Sequence, residues 1–197
     1  MGYCLKLLAI ADRTENGKIS LRVHPSFISK NNPLANVDGA FNAITVFGNA
    51  VGEVMFYGRG AGMMPTASAV VADIIEVALG NSATTFNSFN IKRRDEIKDL
   101  IVDIGESVSR FYVRLMAKDH PGVFAQIGQI LAENSISISG ILQHEGQGPD
   151  NTVPVVIATH PTKQKKLSSA LASLNKLDTV CSKPVCIRIV DMPEDKD

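Results

Sequence analysis

Two hydrophobic periods alternate across residues 111–190, and this constrains the fold more than any other feature of the sequence. Phe111, Val113, Leu115 and Ala117 alternate with Tyr112, Arg114 and Met116. A period of two marks a strand with one buried face. Asp119-His120-Pro121-Gly122 then opens a helix whose apolar stripe is Val123, Ile127, Ile130 and Leu131. Ser135-Ile136-Ser137-Ile138-Ser139 alternates again and continues towards His144, and Glu145–Asn151 reads as a turn. Val153–Thr159 is a third strand, and Leu167, Ala170, Leu171 and Leu174 define a second helix. Val185–Val190 closes the unit as a fourth strand. The order βαββαβ predicts a ferredoxin-like arrangement with both helices on one face of the sheet. The other face, or the sheet edges, is left to pair with another copy.

Residues 5–58 read mainly as strands. Leu5–Ala11 is nearly continuous in apolar residues and stops at Thr14-Glu15-Asn16-Gly17, a pattern that suits a buried strand. Two arrangements satisfy a buried strand so close to Met1. Either the chain was cut from something longer, or the strand pairs at a sheet edge. Asn16-Gly17 between Leu5–Arg13 and Lys18–Val23 is a hairpin signal. His24-Pro25 through Pro33-Leu34 reads as loop, and Phe41–Phe47 with Glu53–Tyr57 as a second hairpin. A helix is expected from Pro65, a favoured first residue, to Leu79. Its stripe is Ala67, Val70, Val71, Ile74, Ile75 and Ala78, and Gly80 is placed to end it. Residues 91–110 are charged and read as a linker, after a polar stretch at 81–90 with two Phe. The sequence therefore divides as 1–90, a linker 91–110, the βαββαβ unit 111–191 and a flexible tail 192–197. The class is α+β: a mixed sheet with a packed helix, then the βαββαβ unit.

Lys+Arg and Asp+Glu are balanced at 20 each in 197 residues, which argues against nucleic acid as the main partner. No apolar run approaches the roughly 20 residues of a membrane helix. Cys4, Cys181 and Cys186 are odd in number and show no metal-type pairing, so a reduced, cytoplasmic protein is expected. His24, His120, His144 and His160 lack ligand spacing, and no metal is expected. Asp12, Asp38 and Asp73 suit caps or surface charges, and Lys6 suits a snorkelling strand edge. No set of residues completes a catalytic site.

Two loops remain as binding candidates. Gly58-Arg59-Gly60-Ala61-Gly62 leads from a strand to a helix N-terminus, where unpaired N–H groups suit a phosphate or carboxylate. The spacing is not that of a complete dinucleotide fingerprint, and a tight turn packing helix on strand explains it equally. In Asp119-His120-Pro121-Gly122, Asp119 or His120 can cap the helix and Gly122 clears space above it. Asn134 and the serines Ser135, Ser137 and Ser139 offer polar contacts, or the solvent side of a strand.

The ordered series Lys6-Leu7-Leu8-Ala9-Ile10-Ala11, Val23-His24-Pro25, Asn32-Pro33-Leu34-Ala35-Asn36-Val37, Phe41-Asn42-Ala43, Tyr57-Gly58-Arg59-Gly60-Ala61-Gly62 and Pro65-Thr66-Ala67-Ser68-Ala69-Val70-Val71-Ala72-Asp73-Ile74 resembles the C-terminal part of the catalytic region of homoserine dehydrogenases. Asp119-His120-Pro121-Gly122-Val123 followed by Ile136-Ser137-Ile138 resembles an ACT domain. The resemblance implies an enzyme that reduces aspartate 4-semialdehyde to homoserine with NAD(P)H, on the route to threonine, methionine and isoleucine. It implies that Gly60, Ala61 and Gly62, with Thr66, lie against the cofactor. It also implies that an amino acid, threonine the natural candidate, binds at Asp119, His120, Gly122 and Val123, opposite Asn134, Ser135 and Ile136. The family's nucleotide-binding motif and catalytic lysine have no match here. The chain alone is therefore expected to be inactive, to hold no tightly bound cofactor, and to form homodimers or larger homo-oligomers. A stand-alone amino-acid sensor and a dimerisation module are the alternatives.

Overall fold

The computed structural model describes residues 2–14, 16–89, 100–143 and 151–193. The expected turn at 145–150, most of the linker and the end of the tail lie outside these. The chain divides into two compact units, one of Tyr3–Ile28 with Leu100–Asp191, the other mainly Ser29–Asp99.

The first unit is built on a seven-stranded mixed sheet. Its strands are β1 (Tyr3–Arg13), β2 (Ile19–Ser29), β5 (Val108–Lys118), β6 (Ile138–Gln143), β7 (Thr152–Thr159), β8 (Thr162–Lys163) and β9 (Val185–Ile189). The order is β1-β2-β9-β5-β7-β6, with the short β8 also on β5. Strands β9-β5-β7-β6 pair antiparallel, as the βαββαβ order requires. Helices α3 (Val123–Glu133) and α4 (Gln164–Leu174) bury Val123, Ile127, Leu131, Leu167, Ala170 and Leu174. These meet Phe111, Val113 and Leu115 of β5 and Val153, Val155 and Ile157 of β7 in one core. The expected helical stripes and strand alternation are present.

Four details depart from expectation. The first strand of this unit begins at Val108 instead of Phe111, because β8 pairs with Val108 and Ser109. Ser135 and Ile136 belong to a helix cap and not to a strand, which starts at Ile138. The stretch from His24 to Ser29 is strand where loop was expected. Pro25 lacks an N–H, but pairing with β9 falls on Ser26 and Phe27, just beyond it. Finally, the compact units are cut not only between Asp99 and Leu100, within the expected linker, but also after Ile28, because β2 is hydrogen-bonded to β9.

The hairpin of β1 and β2 turns at Asn16-Gly17, with Thr14 N–H donating to Lys18 O at 2.8 Å. The strand expected to be buried is not. Leu5 and Leu7 are exposed, Leu7 at 73%. Both faces of β1 are apolar, but Lys6, Leu8 and Ile10 lie on the half-covered one, and β1 ends the strand order.

In the second unit β3 (Phe41–Gly48) and β4 (Gly52–Arg59) form the expected hairpin. Helix α1 runs from Met63 to Ala78, so Pro65 is its third residue and not its first. Gly80, at φ +75°, separates it from α2 (Asn81–Ser88). The stripe of α1 is uncovered: Val70, Val71, Ile74 and Ile75 are all exposed.

Candidate functional site

Helix α3 organises the residues expected to bind an effector. Gly122 is its N-cap, at φ +94°, and makes no side-chain cap. The expected capping by Asp119 or His120 is therefore absent, because the helix starts after both. His120 turns back, its Nδ1 lying 3.1 Å from Pro121 O. Asp119 is held on three sides. Its N–H donates to Asn151 O at 2.8 Å, Asn151 Nδ2 donates to its carbonyl at 2.9 Å, and Gln143 Nε2 donates to its carboxylate at 3.2 Å. The result is a loop that fixes a carboxylate beside a helix end whose first N–H groups have no side-chain partner. Such an end attracts the carboxylate of an amino acid, and a fixed carboxylate attracts its ammonium group. Val123, the first helical residue, is buried in the core.

Asn134, Ser135 and Ile136 sit at the other end of α3. Asn134 N–H and Nδ2 both donate to Ile130 O. Ser135 N–H donates to Ala132 O, and Ile136 N–H to Leu131 O. This is a Schellman cap with Ser135 in the left-handed position at φ +55°. Ile136 is its buried hydrophobic anchor. The eleven residues of α3 span about 16 Å at ~1.5 Å per residue. One chain therefore does not bring the two groups together around one small ligand. Gln143 and Asn151 are additions that the sequence pattern does not single out. Each lies beside the residues 144–150, and only tertiary structure returns them to Asp119.

The loop after β4 is tied down. Gly60 and Ala61 N–H groups both donate to Ala40 O, at 3.0 and 3.4 Å. A side chain at Gly60 would meet the Asn42 amide. Arg59 lies over the Phe41 ring at 5.0 Å, and Phe41 stacks on Tyr57. Two of the expected anion-binding N–H groups are thus already used. What remains open is the start of α1, capped by Gly62 at φ +132° without a side-chain bond. Thr66 is in the first turn, its N–H given to Gly62 O. The helix start keeps an end that suits an anion, while the loop before it has spent two N–H groups on Ala40. Among the described residues no three His, Cys, Asp or Glu side chains group as metal ligands.

Comparison with known proteins places the two loops in different family matches. The homoserine dehydrogenase family matches residues 1–75 and the ACT domain matches residues 111–179. The chain is thus similar to homoserine dehydrogenases. It corresponds to the C-terminal part of that family, with its ACT domain. A homoserine dehydrogenase of Pseudomonas aeruginosa is 41% identical over 96% of this chain and 44% of its own length. One of Bacillus subtilis is 38% identical over 91% and 41%. The crystal structure of the Thiobacillus denitrificans homoserine dehydrogenase matches with a TM-score of 0.81 and 42% identity, over 96% of this chain and 43% of that one. The Staphylococcus aureus enzyme at pH 7.0 matches at 26% identity and a TM-score of 0.54, over 97% and 43%. The chain spans less than half the length of the relatives it matches.

Proposed function

We propose that this chain is the regulatory end of an NAD(P)-dependent homoserine dehydrogenase, and that its ACT domain binds threonine as a feedback effector. The observation that carries this reading is the uncapped glycine start of α3 beside the immobilised Asp119 carboxylate. The two ends of α3 lie too far apart to share a ligand within one chain, so the effector sits between paired copies. Asp119, His120, Gly122 and Val123 come from one protomer, and Asn134, Ser135 and Ile136 from its partner. The exposed stripe of α1 and the outer face of β1 supply further homodimer surface. Gly60, Ala61, Gly62 and Thr66 would meet the nicotinamide side of a cofactor held mainly by another region. The whole protein would reduce aspartate 4-semialdehyde to homoserine in the cytoplasm, for threonine, methionine and isoleucine synthesis, and the 197 residues alone would not.

Calorimetric titration with threonine and a panel of other amino acids tests the reading. Saturable heat with threonine, and no homoserine formed from NADPH and the semialdehyde, is the expected outcome. Heat with a different amino acid would favour a sensor of that ligand, and none with any amino acid a dimerisation module. Turnover by the isolated chain would show that the catalytic groups lie within it.

A further inference from the structure

The inner face of β2 carries an unusual set of side chains. Ser20, Arg22, His24, Ser26 and Ile28 alternate onto it. Ser26 is in register with Arg188 of β9, so the Arg188 guanidinium lies on the same face. Arg188 is only 8% exposed, and its Nη2 donates to Gln164 Oε1 at 2.8 Å. Arg22 Nη1 donates to Ser20 Oγ at 2.9 Å, and Nη2 pairs with Asp12 at 2.5 Å. His24 Nδ1 lies 2.8 Å from Ser26 Oγ. Three nitrogens of this cluster are shut off from solvent with no hydrogen-bond partner: Arg22 Nε, His24 Nε2 and Arg188 Nη1. Two guanidinium groups thus lie on one face, and the Asp12 carboxylate pairs with Arg22. Burial first, and then the Arg22 charge, lower the Arg188 pKa. Burial, with the Arg188 and Arg22 charges adding, lowers that of His24 against the Pro25 carbonyl. A negative charge is what the cluster lacks.

We propose that Arg22, His24 and Arg188 form a binding site for a small oxyanion, a carboxylate or a phosphate. Guanidinium N–H forks match the planar spacing of such oxygens. The anion would select the His24 tautomer with its proton on Nε2. The site shares no residue with either end of α3.

Melting of the full chain in inorganic phosphate or acetate, at ionic strength held constant with sodium chloride, tests this. Each anion is expected to raise the melting temperature saturably, since a ligand of the folded state stabilises it by mass action. Tighter phosphate binding would assign a phosphate-bearing ligand, and tighter acetate binding a carboxylate-bearing one. Either supports the site. Arg22→Gln and His24→Gln are expected to weaken the affinity at least tenfold. Arg188 is buried, so its loss could unfold the chain. Asp12→Asn provides a variant on an exposed residue. By freeing Arg22 it is expected to tighten binding several-fold, with the fold checked by circular dichroism. No saturable shift with either anion, or equal affinity in all variants, would overturn the proposal.

Discussion

Gly122 stands at φ +94°, with open space where a Cβ would go. Its requirement is backbone conformation, since a left-handed residue with a side chain costs about 1–2 kcal/mol. Gly122→Ala is expected to destabilise the chain by about that much, read from urea unfolding with an unchanged slope. Ser135 carries the same kind of conformation at the far end of α3 without being glycine, and the Ser/Ile alternation that runs through it resembles a strand that starts only at Ile138. The cysteines differ in a similarly local way. Burial pushes the Cys186 thiol up to about 11, while Cys181 is exposed. At pH 8 iodoacetamide is expected to modify Cys181 well before Cys186, by mass spectrometry of timed samples. Equal rates would show that Cys186 is accessible as thiolate.

Among the elements, α3 and α4 were legible from their stripes because the chain supplies the surface that covers them. The stripe of α1 reads equally clearly, yet it is bare, because periodicity reports which face is apolar and not what lies against it. Strand β2 was half hidden, since Pro25 resembles punctuation to any local rule, and its partner β9 lies far along the chain. The candidate site was legible at Asp119 and Gly122 but not at Gln143 or Asn151, whose role exists only once β6 and β7 are laid beside β5. A further tie joins the turn at Ile104–Glu106 to the start of α4. The Glu106 carboxylate accepts from Lys163 Nζ at 2.7 Å and also from Lys165 Nζ. These lysine bonds hold its pKa down at about 2, against 4.5 unperturbed. A carboxyl with a depressed folded-state pKa stabilises the fold above its unfolded value. That contribution is lost as pH falls from 4.5 through about 2. Glu106→Gln is expected to narrow the stability difference between pH 5 and pH 2.5, measured by urea titration at each. An unchanged pH dependence would mean the exposed pairs contribute nothing, as surface ion pairs often do.

For the whole molecule, the uncovered apolar residues are the dominant fact. A buried Val or Ile side chain stabilises by about 1.5–3 kcal/mol over an exposed one. Val70, Val71, Ile74 and Ile75 together therefore favour association strongly. The chain is expected to sediment as a homodimer or larger, and Ile74→Asp to weaken association at least tenfold. Ile74 is 61% exposed within the chain, so its replacement is expected to leave the circular dichroism spectrum unchanged. A monomeric wild type would overturn the assembly. The pairing of β2 with β9 bears on how an ACT domain placed like this one can be rebuilt. An ACT domain is commonly imagined as a cassette, to be cut at a linker and grafted elsewhere. Here a graft of residues 100–191 would leave the backbone of β9 as a raw edge and strip the Phe27 ring from Tyr112. The transplantable piece must carry the hairpin of residues 3–28 with it, and that hairpin lies within the stretch that matches the dehydrogenase family. The ACT-matching unit and the dehydrogenase-matching hairpin are joined through paired strands, and neither can be exchanged without unpicking the other.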